Sequence, residues 1–213
     1  KSLIAASLGQ FYESQEHLAT ADRYYRLAVS LSSSKESLAI AADFYSRTGR
    51  LSDALEYYER TLALTNDDPD AAHNTRSRIV AVLLAMGDLD RAKSKVDDFL
   101  ARYPDDPQAM IYEGAYHRIG GDIQKAKEAF DRHLEREPDN ATALWQRGQL
   151  FLLLGRWEKA IQDLKNAKAS KPDAFNYKHR IALADALVEA GRGDEAVDEL
   201  RSILKTHPEE QGV

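Results

Sequence analysis

Residues 141–174 read ATALWQRGQLFLLLGRWEKAIQDLKNAKASKPDA and hold the pattern that decides the fold. Small and apolar residues recur every three or four positions on both sides of Gly155, and this spacing puts them on one face of a helix. Gly155 marks a turn between two helical segments, and Pro172 follows the second of them. The stretch therefore predicts a helical hairpin.

The same punctuation recurs through the chain. Glycines recur at intervals of 34 to 38 residues, and prolines follow 17 residues after four of them. Five residues after each glycine stands an alanine, and a bulky residue follows four positions later, which predicts that the second helix of each hairpin packs inward. The glycines are Gly49, Gly87, Gly121, Gly155 and Gly191, and the prolines are Pro104, Pro138, Pro172 and Pro208.

These residues resemble the tetratricopeptide repeat, a 34-residue helix-turn-helix unit. The resemblance is clearest in residues 141–174, where Leu144 and Arg147 replace the tryptophan and leucine of the family pattern. It implies an all-α, right-handed α-solenoid of about six repeats that forms one array over residues 1–213. The matching positions are Gly148, Phe151, Gly155, Ala160, Leu164, Ala167 and Pro172, and the copies span 2–35, 35–68, 73–106, 107–140, 141–174 and 177–210.

Three departures interrupt the pattern. Asn66 stands where proline is expected, Pro69 to Ala72 are inserted after the second copy, and Phe175 and Asn176 precede the sixth. We expect longer turns at these places. Because the chain begins at Lys1 rather than at methionine, we also expect it to be a piece of a longer protein.

Composition limits the classes of function. Hydrophobic residues make up 43% and charged residues 30% of the 213, so neither a disordered nor a membrane-inserted chain is expected. The formal net charge of −6 and a pI near 5.6 argue against nucleic acid as a partner. The chain has no cysteine, which excludes disulfides and thiolate sites and leaves cytoplasmic and periplasmic locations both open.

We predict that the chain is not an enzyme. None of the six histidines forms an H-x-x-x-H pair, and no G-x-S-x-G or P-loop motif occurs, so no catalytic residue, metal site or cofactor is expected. Charged residues at helical spacing, such as Glu128 with Arg132 and Glu195 with Glu199, are expected on solvated faces.

The resemblance implies a function on the concave surface that the first helices of the hairpins line. Groove-facing positions of the central copies are largely apolar, whereas Glu36 and Asp43 give an outer copy a mixed character. We therefore expect a protein or peptide with apolar anchors and neutral or basic flanks, with Trp145 as the main contact. The predicted binding residues are Ser77, Ala81, Leu84, Ile111, Ala115, Arg118, Ile119, Trp145, Gln149 and Leu152.

An alternative for these apolar residues is packing between neighbouring first helices, with Trp145 beneath the next repeat. Chaperone-binding members of the family hold a terminal carboxylate with lysine, asparagine and arginine, and the matching positions here lack that clamp. An acidic chaperone tail is therefore not expected as a ligand. These positions are Ala6, Gln10, Ala39, Asp43, Ser77 and Ala81.

Two other functions stay open beside the interaction scaffold. The repeats could regulate or target a catalytic domain outside this sequence, or they could self-assemble as a structural array in an envelope or polysaccharide-export complex. The last predicted helix, Asp194 to Thr206, favours self-association because its apolar residues have no polar cap after them. Those residues are Val197, Leu200, Ile203 and Leu204, and we expect an end-to-end homo-oligomer.

Overall fold

Twelve α-helices and no strand make up the part of the chain that the computed structural model describes, residues 1–65, 67–104, 106–172 and 177–206. The predicted all-α repeat class is confirmed. In order, the helices are α1 (Ser2–Ser14), α2 (Leu18–Leu31), α3 (Lys35–Arg47), α4 (Leu51–Leu62), α5 (Pro69–Met86), α6 (Leu89–Arg102), α7 (Pro107–Ile119), α8 (Ile123–Arg136), α9 (Ala141–Leu153), α10 (Trp157–Ser170), α11 (Tyr177–Glu189) and α12 (Gly193–Thr206).

The helices pack as consecutive hairpins in two compact units, unit 1 (Lys1–Pro104) and unit 2 (Asp105–Val213). Unit 1 contains the pairs α1/α2, α3/α4 and α5/α6, and unit 2 contains α7/α8, α9/α10 and α11/α12. Inside each unit the second helix of a hairpin also packs on the first helix of the next, as α4 does on α5 and α10 on α11. That the six copies form a single array stays a prediction.

The predicted hairpin turns are built around left-handed glycines. All five punctuating glycines have positive φ, from 63° at Gly155 to 80° at Gly121. A side chain in this region meets the following carbonyl oxygen, so glycine is the residue that adopts it without strain. The turn between α1 and α2 has no glycine and places Glu16 there instead, with φ 59°.

The four inserted residues begin helix α5 rather than lengthening a turn, but the connection before them, residues 63–68, is longer than those that precede α3, α7 and α9, as expected. Pro69 is the first residue of α5, and the Asp68 side chain accepts a hydrogen bond from the backbone N–H of Ala71. A capping aspartate followed by proline is a strong start for a helix, so the four inserted residues add a turn to its beginning. Phe175 and Asn176, the other insertion, lie outside the described residues.

The core lies along the inward faces of the hairpins. Each predicted alanine of a second helix is buried, and so are the bulky partners Tyr58, Val96, Phe130 and Leu164. Fully burying such a side chain stabilises the fold by about 1.5–3 kcal/mol. Facing residues on the first helices are small because the helices approach closely: a methyl group added at Gly114 would lie 2.7 Å from Cδ1 of the Phe130 ring.

Arg147, which replaces the family leucine on α9, is held by an ion-pair network. Its guanidinium donates two hydrogen bonds to Asp163 on α10, at 2.7 and 2.9 Å, and one to Asp131 on α8, at 2.7 Å. The paired Asp163 carboxylate, with Asp131 adding to it, raises the pKa of Arg147 above its ordinary value. Only 6% of the Asp163 side chain is exposed, so its pair with Arg147 is buried. Because Asp131 lies on α8, the network joins two consecutive hairpins inside unit 2.

Of the charged residues expected on solvated faces, Glu128 and Arg132 are exposed as expected, whereas Glu199 is not. Arg132 pairs with Glu113 on α7 rather than with Glu128 on its own helix. Glu199 is not a solvated side chain, because it lies 2.6 Å from Lys168 on α10 and 2.7 Å from Arg180 on α11. Both charges therefore tie helices together.

Candidate protein-binding surfaces

A cavity of about 250 Å³ opens in unit 1 between two first helices, α3 and α5. Its floor is formed by α4 and by the turn that follows it. The additional helical turn of α5 supplies part of one wall, because Ala71 and Asn74 lie at or just after the inserted segment. The lining residues are Lys35, Glu36, Ala39, Asp43, Tyr58, Thr61, Thr65, Ala71, Asn74, Thr75 and Arg78.

The cavity has a polar network along one side. Asp43 lies 2.7 Å from Nη1 of Arg78 and accepts a hydrogen bond from the hydroxyl of Tyr58 at 2.5 Å. Burial, together with the Asp43 carboxylate, raises the pKa of Tyr58 to about 12, so the phenol stays protonated as the donor. At another edge Lys35 pairs with Asp68. The surface therefore combines satisfied charges with the small side chains of alanine and threonine.

The ten predicted binding residues fall into three groups of exposure. Leu84, Ile111 and Ala115 are buried, and Ala81 and Ile119 are exposed. The remaining five, partly buried, are Ser77, Arg118, Trp145, Gln149 and Leu152. Three of the ten belong to unit 1 and seven to unit 2, and none of them lines the unit 1 cavity. Their binding role stays a prediction.

Packing inside unit 2 accounts for much of the apolar character of this set. Ile111 is 3% exposed and belongs to a core cluster that also contains Leu144 and Leu183. Trp145 packs against the same cluster, and its ring meets that of His179 on α11 edge to face at a centroid distance of 4.1 Å. These placements match the packing alternative that the sequence left open.

Arg118 on α7 differs from the other arginines of unit 2 discussed above. Its Nε is fully buried and has no hydrogen-bond acceptor within the described residues, and no carboxylate there lies within ion-pair distance of its guanidinium. Burial lowers the pKa of Arg118. On the adjacent helix α9, the Oε1 atom of Gln146 is likewise buried without a donor.

The described residues contain no group of three or more histidine, cysteine, aspartate or glutamate side chains placed to hold a metal ion. His133 is fully buried, and burial lowers its pKa. Among the same residues, none of the helices combines the length and the apolar character needed to cross a membrane.

Family models described as tetratricopeptide repeat match residues 4–35, 37–72, 79–132, 120–175 and 155–212. None of the curated proteins has a significantly similar sequence.

The fold is similar to that of several solved structures. A tetratricopeptide repeat protein from Parabacteroides merdae is 15% identical with a TM-score of 0.78, over 96% of this chain and 78% of that one. A thermophilic tetratricopeptide protein of Thermus thermophilus is 23% identical with a TM-score of 0.68, over 83% and 93% of the two chains. PilW, a type IV pilus biogenesis factor, is 15% identical with a TM-score of 0.67, over 99% and 95%. At these identities the likeness concerns the fold alone. With repeat models matched along nearly its whole length, the chain belongs to the tetratricopeptide-repeat family.

Proposed function

We propose that the chain is a protein-interaction scaffold that binds a segment of another protein against the first helices of its hairpins. The family supports protein partners in general, and solved relatives of similar fold include the Cut9–Hcn1 assembly and the pilus factor PilW. The partner of this chain is a protein segment, extended or helical, that inserts side chains between neighbouring first helices.

The observation that carries the proposal is the cavity between α3 and α5. At about 250 Å³ it holds one or two amino-acid side chains, and its walls offer both methyl groups and hydrogen-bonding groups. Asp43 and Arg78 neutralise each other, so a ligand entering beside them does not have to displace an unpaired charge. Glu36 and Asp43, which give this outer copy its mixed character in the sequence, both line the cavity, whereas the largely apolar groove is a separate prediction for the central copies.

The test is to fill the cavity. Ala39 is partly buried on α3 and lines the space, so Ala39→Leu should occupy part of it without disturbing the core. We expect proteins captured from a cell lysate by the wild-type chain to be lost with this variant, while helicity measured by circular dichroism is unchanged.

Ala101→Leu is the matched control, because Ala101 is an exposed alanine on α6 that does not line the cavity. It should capture the same proteins as the wild type. If Ala39→Leu captures them equally well, the unit 1 cavity is not the binding site and the proposal loses its main support.

Self-association is a second candidate, and the exposed face of α1 favours it. Ile4 is 67% and Phe11 58% exposed, whereas the residues 33 positions later on α3, Ser37 and Phe44, are buried. Since α3 packs on the preceding hairpin, α1 leaves open the face that its counterpart uses for stacking. A second copy of the chain that covers this face of α1 would bury Ile4 and Phe11, as the preceding hairpin buries Ser37 and Phe44 of α3.

The last helix shows a related opening. Leu200 occupies the position of Tyr58, Phe130 and Leu164, all of which are buried, yet it is 36% exposed, and Val197 and Leu204 are exposed beside it. The side chain of Ile203, the fourth residue of the predicted uncapped face, lies outside the described residues. An α12 of one copy and an α1 of another therefore offer the two apolar faces that a stacked pair of hairpins needs.

A further inference from the structure

Arg118 is a cation whose counter-charge is absent from the described part of the chain. Its Nε is buried without an acceptor, and none of the described carboxylates lies within ion-pair distance of the guanidinium. Two other partly buried arginines of unit 2 are neutralised: Arg147 by Asp131 and Asp163, and Arg180 by Glu199. A partly buried guanidinium without a partner destabilises the fold that contains it, because its desolvation is not offset.

The predicted groove-facing positions of α7 and α9 carry no acidic residue. Apart from Arg118, these positions are neutral, and they include Gln108, Ala115, Ile119, Gln149 and Leu152. Asp185 and Glu189, exposed acidic residues of α11 in the same unit, make no ion pair with Arg118. The amide oxygen of Gln146 on α9 is also buried, but it accepts no hydrogen bond from the described residues and therefore does not pair with Arg118.

We propose that the segment bound by unit 2 places one aspartate or glutamate side chain against the guanidinium of Arg118. This inference rests on the proposed scaffold function and names the chemistry of its ligand. A guanidinium matches a carboxylate in planar, two-pronged geometry, and the low-polarity neighbours strengthen that contact.

A side-chain carboxylate fits better than a chain terminus or a strongly acidic tail. A terminal carboxylate is held by several converging donors, and Arg118 is the sole formal charge among the predicted groove positions of α7 and α9. The chain carries a net charge of −6, which repels a polyacidic ligand. The expected segment has one carboxylate between aliphatic residues, with neutral or basic flanks.

The probe is a phage-displayed library of random linear peptides, which have no free carboxyl terminus at the displayed end. Selection uses the full chain, and enriched peptides are synthesised with blocked ends. We expect an aspartate or glutamate at one fixed position among peptides that bind, and a loss of affinity of about tenfold or more with Arg118→Met. Replacing that acidic residue by its amide should lower affinity for the wild type, and the amide peptide should bind wild type and Arg118→Met equally.

Arg136→Met is the matched control, since Arg136 is an exposed arginine on the neighbouring helix α8. It removes the same charge and should leave peptide affinity unchanged. Equal losses with both variants would show a general charge effect and would overturn the inference. Peptides that bind Ala39→Leu more weakly than wild type are assigned to the unit 1 cavity, and they are left out of the comparison of Arg118→Met with wild type.

The thermal unfolding temperature distinguishes a ligand-binding role of Arg118 from a structural one, because loss of a structural contact would lower that temperature. If the guanidinium of Arg118 is unpaired in the free protein, the Arg118→Met variant should unfold at the same temperature as the wild type or at a higher one. A marked decrease would mean that the guanidinium is paired within the fold, and the inference would fail. If the selected peptides show no enrichment of acidic residues and bind Arg118→Met as well as wild type, the inference about Arg118 is overturned and the scaffold proposal stands. A library that yields no binding peptide counts against both the inference and the scaffold proposal.

Discussion

At the scale of single residues, the turn between α1 and α2 carries strain that the other hairpin turns avoid. Glu16 has φ 59°, in the region that the five punctuating glycines occupy. The strain is about 1–2 kcal/mol for an L-residue. Glycine would remove it but would lose about 0.5–1 kcal/mol through its more flexible unfolded state.

Glu16→Gly should therefore raise the free energy of unfolding by up to about 1 kcal/mol. Urea denaturation followed by circular dichroism measures the change. Because Glu16 is exposed, Glu16→Ala serves as a control that removes the carboxylate and keeps the strain. If the glycine variant is no more stable than the alanine variant, the turn is not strained at this residue.

His133 predicts a pH dependence of stability. Burial lowers its folded-state pKa below 6.5, whereas the unfolded chain keeps the ordinary value. Above pH 6.5 both states hold a neutral imidazole; below it the unfolded state binds the proton more readily, so stability is lost as pH falls towards the folded pKa. The carboxylate of Glu137, 3.8 Å from Nε2, partly opposes this effect.

We expect His133→Leu to unfold with a weaker dependence on pH between about pH 7.5 and 5.5 than the wild type. Chemical denaturation at several pH values measures both proteins. Burial also lowers the pKa of His179, but that residue is present in both proteins, so its contribution cancels in the difference. Parallel pH profiles for wild type and variant would contradict the prediction.

Single residues also show where sequence reasoning reached its limit. The helical period places Ile111 and Trp145 at groove-facing positions, but a period does not say how closely the neighbouring helix approaches. The structure has Ile111 in the core and Trp145 against His179. The sequence placed Glu36, Ala39 and Asp43 on the concave surface, and all three line the cavity of unit 1, but it did not predict the added helical turn at Pro69 that forms part of the wall.

At the scale of helices, α9 depends on a charge that the family pattern does not contain. Removing Arg147 leaves Asp163 buried on α10 without a partner, since only 6% of that side chain is exposed. Breaking a buried ion pair from one side destabilises a protein by about 3–5 kcal/mol. We expect Arg147→Met to lower the free energy of unfolding by about 3 kcal/mol in urea denaturation.

Arg132→Met is the control for this change. Arg132 pairs with Glu113 at 2.5 Å, but 56% of its side chain is exposed, so solvent screens the pair. Its loss should lower stability by less than about 1 kcal/mol. Equal effects of the two variants would show that the Arg147 network contributes no more than a surface pair.

Helix α5 shows which parts of an element the sequence predicts well. The end of α5 at Met86 follows from Gly87, which adopts φ 70° as the glycine series predicts. Its beginning was placed too late, because the repeat pattern has no position for Pro69 to Ala72. The capping aspartate Asp68 and the proline after it were the local signals for the earlier start.

At the scale of the whole molecule, the open faces of α1 and α12 predict self-association. Ile4→Glu puts a charge on the exposed apolar face of α1 and should shift a concentration-dependent oligomer to the monomer in sedimentation velocity. Leu64→Glu is the control, since Leu64 is 51% exposed after α4 and away from that face. A wild-type chain that stays monomeric at high concentration would rule out this mode of assembly.

The pairing of helices with their neighbours along the chain bears on how the protein folds. Helices that pack extensively within a unit are adjacent or next-adjacent in sequence, so contacts span short loops and require little closure entropy. Such topologies fold in microseconds to milliseconds, and nucleation can begin in any hairpin. During synthesis, each hairpin can therefore form soon after it leaves the ribosome and then offer its second helix as a packing surface for the next hairpin of the same unit.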